Sequence, residues 1–191
     1  MTWPGLLDDV HGLLRGWPTS EPGQVALLER YRHVAARDGV GALRKGELPA
    51  HFTAAVVVLD DRLERVLLTH HRKAGAWLQF GGHLEAGDAS IEAAARREGT
   101  EESGIALTRQ LVPVELDAHR LGAGFGACAE HLDLRWVTTV PGDAVPVTSN
   151  ESHDVAWFEV DALPSDIRAE VRDLVGRAVA VARASEDLRV D

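Results

Sequence analysis

Leu6, Leu7, Val10, Leu13 and Leu14 recur at helical spacing, and the pattern stops at Gly16-Trp17-Pro18, which predicts a first helix. A second helix is expected after Ser20, with Pro22 in its first turn. It turns Leu27, Leu28, Tyr31 and Val34 inward and ends near Gly39. From His51 the texture changes. Residues 52–59 are nearly all apolar and rich in valine, the pattern of a strand buried on both faces. Asp60-Asp61 turns the chain, and Val66-Leu67-Leu68 returns as its neighbour. A short strand over 77–80 is followed by a glycine loop and a glutamate-rich helix. Residues 111–116 are expected to be extended, and LGAGFGA (121–127) to be a loop. A strand over 131–140 alternates Leu132, Leu134 and Trp136 with His131, Asp133 and Arg135. Another strand covers 154–160, and a last amphipathic helix carries Ile167, Val171, Leu174, Ala178 and Val181. Strands mixed with helices, without regular βαβ alternation, predict an α+β arrangement. Residues 1–48 read as a helical extension packed on a main domain over 49–185, with 186–191 as a tail.

Composition narrows the function more than the fold. The formal net charge of −10 argues against binding a nucleic acid polymer, which needs a basic surface. It leaves room for a small phosphorylated ligand if cations are supplied locally. No run approaches the roughly 20 apolar residues that span a bilayer. The N-terminus has Asp8 and Asp9 and no basic segment, unlike a signal peptide. A single cysteine, Cys128, excludes an intrachain disulfide and a cysteine-rich zinc site; its expected role is that of a buried small hydrophobe. These features point to a cytoplasmic protein with no membrane partner.

Residues 81–105, GGHLEAGDASIEAAARREGTEESGI, hold the chemistry. Glu98, Glu101 and Glu102 are neighbours on a helix surface and repel one another. Water and nearby arginines, or a bound cation, must offset that repulsion. Ile91, Ala95 and Gly99 stack at i, i+4 and i+8, a small-residue stripe that lets the helix approach a sheet closely. Glu98 and Glu102 form a second stripe beside it, with Glu101 on the same side. Hard divalent cations such as Mg²⁺ prefer such oxygen donors.

Gly82, Arg97, Glu98, Glu101, Glu102, Gly104 and Ile105 resemble the signature of the Nudix hydrolases, G-x5-E-x7-R-E-U-x-E-E-x-G-U with U a bulky aliphatic residue. Four departures stand out. One extra residue lies between Asp88, which takes the place of the first glutamate, and Arg97. Gly99 replaces a bulky aliphatic residue, and Phe80 stands where relatives often have proline. The extra residue is expected to be absorbed between Gly87 and Ser90, leaving the helix register intact. The resemblance implies an α/β/α sandwich with a mixed sheet and, here, an N-terminal helical extension. It implies Mg²⁺ or Mn²⁺ held by Glu98, Glu101 and Glu102 with Gly82, one of the glutamates as general base, and Arg97 orienting carboxylates by charge-assisted pairs.

Arg72 and Lys73 lie on a loop that in this family often faces the phosphates, and a solvated turn is the alternative. Glu85 is read as a loop carboxylate that is either supporting or simply exposed. His83 is expected to contact substrate or loop rather than metal. His131, Asp133 and Arg135 share one strand face that lines the substrate cleft or faces water. Glu151 resembles the extra acid that some relatives use as base. The expected activity is metal-dependent cleavage of a P–O–P bond in a nucleoside diphosphate linked to another moiety, or in a similar small phosphorylated metabolite. Two competing readings are a diphosphate isomerase, against which the position of Cys128 weighs, and a non-catalytic ligand-sensing module, against which the retained glutamates weigh. A homodimer is a candidate assembly.

Overall fold

The computed structural model describes residues 2–122, 128–150, 152–165 and 167–188. Helices α1 (Trp3–Gly16) and α2 (Pro22–Asp38) form where the apolar spacing places them, and a 3₁₀ turn follows at Gly39–Leu43. The strands are β1 (Ala50–Asp60), β2 (Arg65–His71), β3 (Ala76–Leu78), β4 (Phe80–His83), β5 (Val112–Arg120), β6 (Glu130–Val140) and β7 (Ser152–Glu159). Helix α3 (Ile91–Ser103) lies between β4 and β5 in the chain, and α4 (Ala169–Ala184) follows β7. Hydrogen-bonded neighbours run in the order β3-β2-β1-β6-β5, with β4 also on β1 and β7 also on β2. The fold is α+β.

Two compact units emerge from the contacts. The first comprises Met1–Ala54, Gly82–Ala95 and Glu115–Arg135. The N-terminal helices are fastened within it by specific bonds. Gln24 clasps the Leu116 backbone in both directions, its Nε2 donating to the carbonyl at 2.9 Å and its Oε1 accepting from the N–H at 2.8 Å. Tyr31 packs edge-on against Phe52, with centroids 5.5 Å apart, and its hydroxyl reaches the carbonyls of Asp117 and Asp133 at 2.6 and 3.1 Å. Burial first, then Asp133 and Asp117, push the Tyr31 phenol well above its ordinary value. Asp9 Oδ2 accepts the Ile91 N–H at 2.8 Å, so α1 helps to cap α3. The extension is thus part of this unit's framework.

The second unit comprises Ala55–Gly81, Arg96–Val114 and Trp136–Asp191. Its β1 residues explain their own unbroken hydrophobicity. Val57 and Leu59 join Val66, Leu68 and Val137 in a buried cluster with Val171, Leu174, Val175 and Ala178 of α4. Val56, on the opposite face, meets α3 at Gly99. A strand covered on both faces has no polar side to show. Strand β2 pairs antiparallel with β1 in the register Val58↔Leu67, with β3 (His70↔Trp77) and with β7 (Leu67↔Trp157).

Several boundaries differ from expectation. Gly81 and Gly82 sit in β4 rather than in a loop, because their backbone groups enter the pairing of β4 with β1. Residues 77–80 divide between β3 and β4, and β5 extends to Arg120. The expected tail contains a 3₁₀ turn, Glu186–Leu188, whose Leu188 is buried in the α4 cluster. Leu27 and Val181 are only half-buried, whereas Ala35 and Val175 complete the inward faces of their helices.

Candidate active site

Helix α3 is built to hold its register. Ser90 Oγ accepts the Ala93 N–H at 2.9 Å, an N-cap of the usual kind. Upstream, residues 84–90 form a turn in which Asp88 Oδ2 accepts the Glu85 N–H at 2.8 Å, while the Asp88 N–H donates to the Glu85 carbonyl at 3.1 Å. Helix α3 runs regularly from Ile91 to Ser103, so the extra residue relative to the signature lies ahead of the helix and its register is intact, as expected. Asp88, the first acid of the motif, is buried and shapes this turn.

The C-terminal end of α3 is held by glycine and arginine. Gly104 has φ +70°, and its N–H donates to the Thr100 carbonyl at 2.9 Å. A Cβ at Gly104 would lie 2.7 Å from Val147 Cβ, so both conformation and space require glycine there. Arg96 Nη1 donates to the carbonyl of Leu107 and, at 2.7 Å, to that of Arg109, which fixes the chain leaving the helix.

Glu98 and Glu102 stand four residues apart on this helix, with Glu101 between them. Glu102 is buried, Glu98 half-buried and Glu101 exposed. Arg97 Nη1 donates to Glu98 Oε1 at 2.9 Å and to Glu101 Oε2 at 3.2 Å, the pairing expected of it. These carboxylates offer only oxygen donors, graded from buried to solvent-facing. That donor set suits a hard divalent cation that keeps several waters.

Other candidates are scattered more widely. Arg72 and Lys73 are exposed in the turn after β2, and Arg72 Nε donates to the Ser152 carbonyl at 2.8 Å. Gly82 and His83 end β4 and are half-buried, and Glu85 is exposed in the following turn. Glu151 lies outside the described residues. Trp136 and Cys128 are buried, as expected of core positions.

Asp133 and Arg135 share a face of β6, but that face is not solvated: both are buried. Arg135 donates from Nε to Asp133 Oδ2 at 2.9 Å, from Nη1 to Glu115 Oε1 at 2.9 Å and from Nη2 to Asp117 Oδ2 at 2.8 Å. Thr53 Oγ1 adds a donor to Asp133 Oδ1 at 2.9 Å. Burial by itself would lower the Arg135 pKa; Asp133, Asp117 and Glu115 more than reverse that and raise it above the ordinary value. Burial likewise pushes Asp117 up, but the bond from His119 and the charge of Arg135 hold it below the usual carboxylate range.

His131 belongs to a group that the sequence did not announce. Its ring centroid lies 5.0 Å from His51, 5.1 Å from His83 and 5.4 Å from His119. His51 and His119 were not singled out by motif or spacing. The available signal was parity: His51 with Thr53, His131 with Asp133, and His119 with Asp117 each share a strand face. Burial, followed by the charges of His83, His51 and His119, pushes His131 down to about 3.

The profile of the NUDIX domain matches residues 49–177. The chain is similar to an oxidized purine nucleoside triphosphate hydrolase of Danio rerio, with 32% identity over 114 residues, 56% of this chain and 67% of that protein. Among solved structures, the E. coli dihydroneopterin triphosphate pyrophosphohydrolase aligns with a TM-score of 0.58 and 18% identity, covering 68% of this chain and 94% of that one. A C. elegans Ap4A hydrolase aligns with a TM-score of 0.55 and 21% identity, covering 70% and 98%. At these identities the structural likenesses speak for the fold.

Proposed function

The chain belongs to the Nudix family and is a Nudix-type hydrolase, and from that premise we propose that it cleaves a P–O–P bond in a nucleoside diphosphate linked to another moiety, with Mg²⁺ or Mn²⁺ as cofactor. The observation that carries this reading is the undisturbed register of Glu98, Glu101 and Glu102 on α3, with Arg97 bonded to two of them. The named relatives act on an oxidized purine nucleoside triphosphate, dihydroneopterin triphosphate and Ap4A. From all three we take only the phosphoanhydride as the shared target, and a nucleoside triphosphate is the neighbouring substrate class.

Glu98, Glu101 and Glu102 would hold the metal. When bound, such a cation neutralises phosphate charge and acidifies an attacking water. The chain's own contribution is positional. Arg97 keeps Glu98 and Glu101 from swinging apart, and the capped, glycine-terminated helix fixes the spacing of all three carboxylates. One of these glutamates, or Glu151, takes the proton from the attacking water. Arg72 and Lys73 offer positive charge to the substrate phosphates, and Glu85 supports the loop. Asp133 and Arg135 hold each other and β5 rather than substrate.

A hydrolysis panel in Mg²⁺ tests the proposal, with nucleoside triphosphates, dinucleoside polyphosphates, nucleotide sugars and oxidised nucleotides as substrates and ¹⁸O-labelled water as solvent. The expected result is P–O–P cleavage with label in one phosphate product, lost when Glu98, Glu101 and Glu102 are all replaced by alanine. No cleavage by the folded wild type, or equal cleavage by the triple variant, contradicts it.

A further inference from the structure

Four adjacent strands each place one histidine in a row: His83 on β4, His51 on β1, His131 on β6 and His119 on β5. The first three form a near-equilateral triangle of rings, with centroid separations of 5.1, 5.0 and 5.1 Å. One nitrogen from each lies within 4.8 Å of the others. We propose that His51, His83 and His131 form a nitrogen-donor site for a borderline transition-metal ion of the Zn²⁺ class.

The spacing can be checked against coordination geometry. With Zn–N bonds of about 2.0–2.1 Å, an imidazole centroid sits ~3.2 Å from the metal, and tetrahedral directions put such centroids ~5.2 Å apart. The observed separations match that value to within a few tenths of an ångström. Rotation about the Cβ–Cγ bond leaves the centroid nearly in place, because that axis passes close to the ring centre. The stacked pair His51–His83, inclined by 23°, can therefore aim its nitrogens inward without moving either strand.

Chemistry and surroundings agree with the geometry. His51 is fully buried, and the buried Nε2 of His131 has no hydrogen-bond partner among the described residues. A cluster of imidazoles this close holds itself neutral, and the neutral ring is the form that ligates metal. Burial, opposed in part by the Leu48 carbonyl, also holds His51 below its ordinary range. Next in the row, His119 is oriented by Asp117, with Nδ1 2.7 Å from Oδ2. His83 and His131 are only half-buried, so a fourth coordination position can be completed by water. The donor set separates this site from the glutamates of α3: imidazoles favour Zn²⁺ and its neighbours, carboxylates favour Mg²⁺ and Mn²⁺.

The test uses the full chain, freed of metal with EDTA and dialysed, in excess Mg²⁺. Zn²⁺ is titrated by calorimetry, and Co²⁺ by its visible absorption. The expected result is one ion per chain, with a tetrahedral Co²⁺ spectrum that persists when Glu98, Glu101 and Glu102 are changed to glutamine. Altering an outer-shell partner of a metal typically costs 10–100-fold in affinity, so His83→Ala and His131→Ala should each cost ~10²-fold or more. Because His51→Ala removes a fully buried ring, the half-buried pair carries the test, with near-UV circular dichroism confirming that both variants fold. Failure of the wild type to bind Zn²⁺ and Co²⁺ in excess Mg²⁺ overturns the proposal. So does binding that survives both histidine variants but disappears with the glutamates. Neither result touches the hydrolase reading, which rests on α3.

Discussion

Replacing Gly176 by alanine should stabilise the protein, whereas the same change at Gly99 should not. Both glycines lie inside helices, α3 and α4, so alanine returns about 1 kcal/mol of helix propensity at each. Their surroundings differ. A Cβ at Gly176 meets nothing within 4 Å, whereas one at Gly99 would lie 2.6 Å from Leu107 Cδ1 and 2.6 Å from Val56 Cγ1. Carbon atoms prefer about 3.5–4.0 Å, so each neighbour must retreat by ~1 Å. Val56 is fully buried and branched at Cβ, and Leu107 is buried too, so neither yields easily. Overpacking of this kind costs about 1–3 kcal/mol. The propensity gain cancels between the two variants, so Gly99→Ala should fall ~1–3 kcal/mol below Gly176→Ala. For a chain of this size that is a Tm gap of about 2–12 °C. Urea and thermal unfolding in EDTA measure it. Equal stabilities would refute the claim that the small residue at 99 exists to bring α3 against Val56. Hydrolysis should also fall for Gly99→Ala alone, because the glutamates ride on the displaced turn.

Arg135→Met should destabilise by about 3–5 kcal/mol in urea at neutral pH, since Glu115, Asp117 and Asp133 lose their shared cation. Acidification should recover part of that loss as the carboxylates take up protons; a neutral effect at all pH values would mean that the network contributes nothing. A separate pH dependence follows from His131, which faces His51, His83, His119 and Lys45. Its folded pKa of about 3 lies below the unfolded value near 6.5, so the unfolded chain binds more protons between these limits. Stability in EDTA should therefore be fully present above about pH 6.5 and decline as pH falls towards 3. His131→Gln should flatten that slope, and an unchanged slope would contradict the assignment.

Much of this architecture was legible in the chain. The stop at Gly16-Trp17-Pro18, the unbroken apolar run of β1 and the stripe Ile91-Ala95-Gly99 each translate one local rule into one element. The extra residue could be assigned between Gly87 and Ser90 because α3 tolerates no insertion without rotating its glutamates. What escaped depended on strand neighbours distant in sequence. Gly81 and Gly82 read as loop residues, yet pairing with β1 draws them into β4. Alternation placed Asp133 and Arg135 on one face, but not the β5 acids 18 and 20 residues earlier that enclose Arg135. His51 and His119 carry no motif; only the order of strands brings their rings to His131. Leu188 follows charged residues with no periodicity to mark it as core.

Glu102→Gln is the most direct test that the α3 glutamates serve a cation. The change keeps the side chain's shape and removes one of three neighbouring negative charges. In EDTA, thermal stability should be unchanged or higher by roughly a few tenths of a kcal/mol, through relief of like-charge repulsion. In Mg²⁺, hydrolysis of the best substrate from the panel should fall by at least ~10²-fold, as expected when a strong electrostatic contact in the transition state is lost. A split of that kind, with stability held and turnover lost, is the predicted result. Near-wild-type hydrolysis by Glu102→Gln would contradict the account.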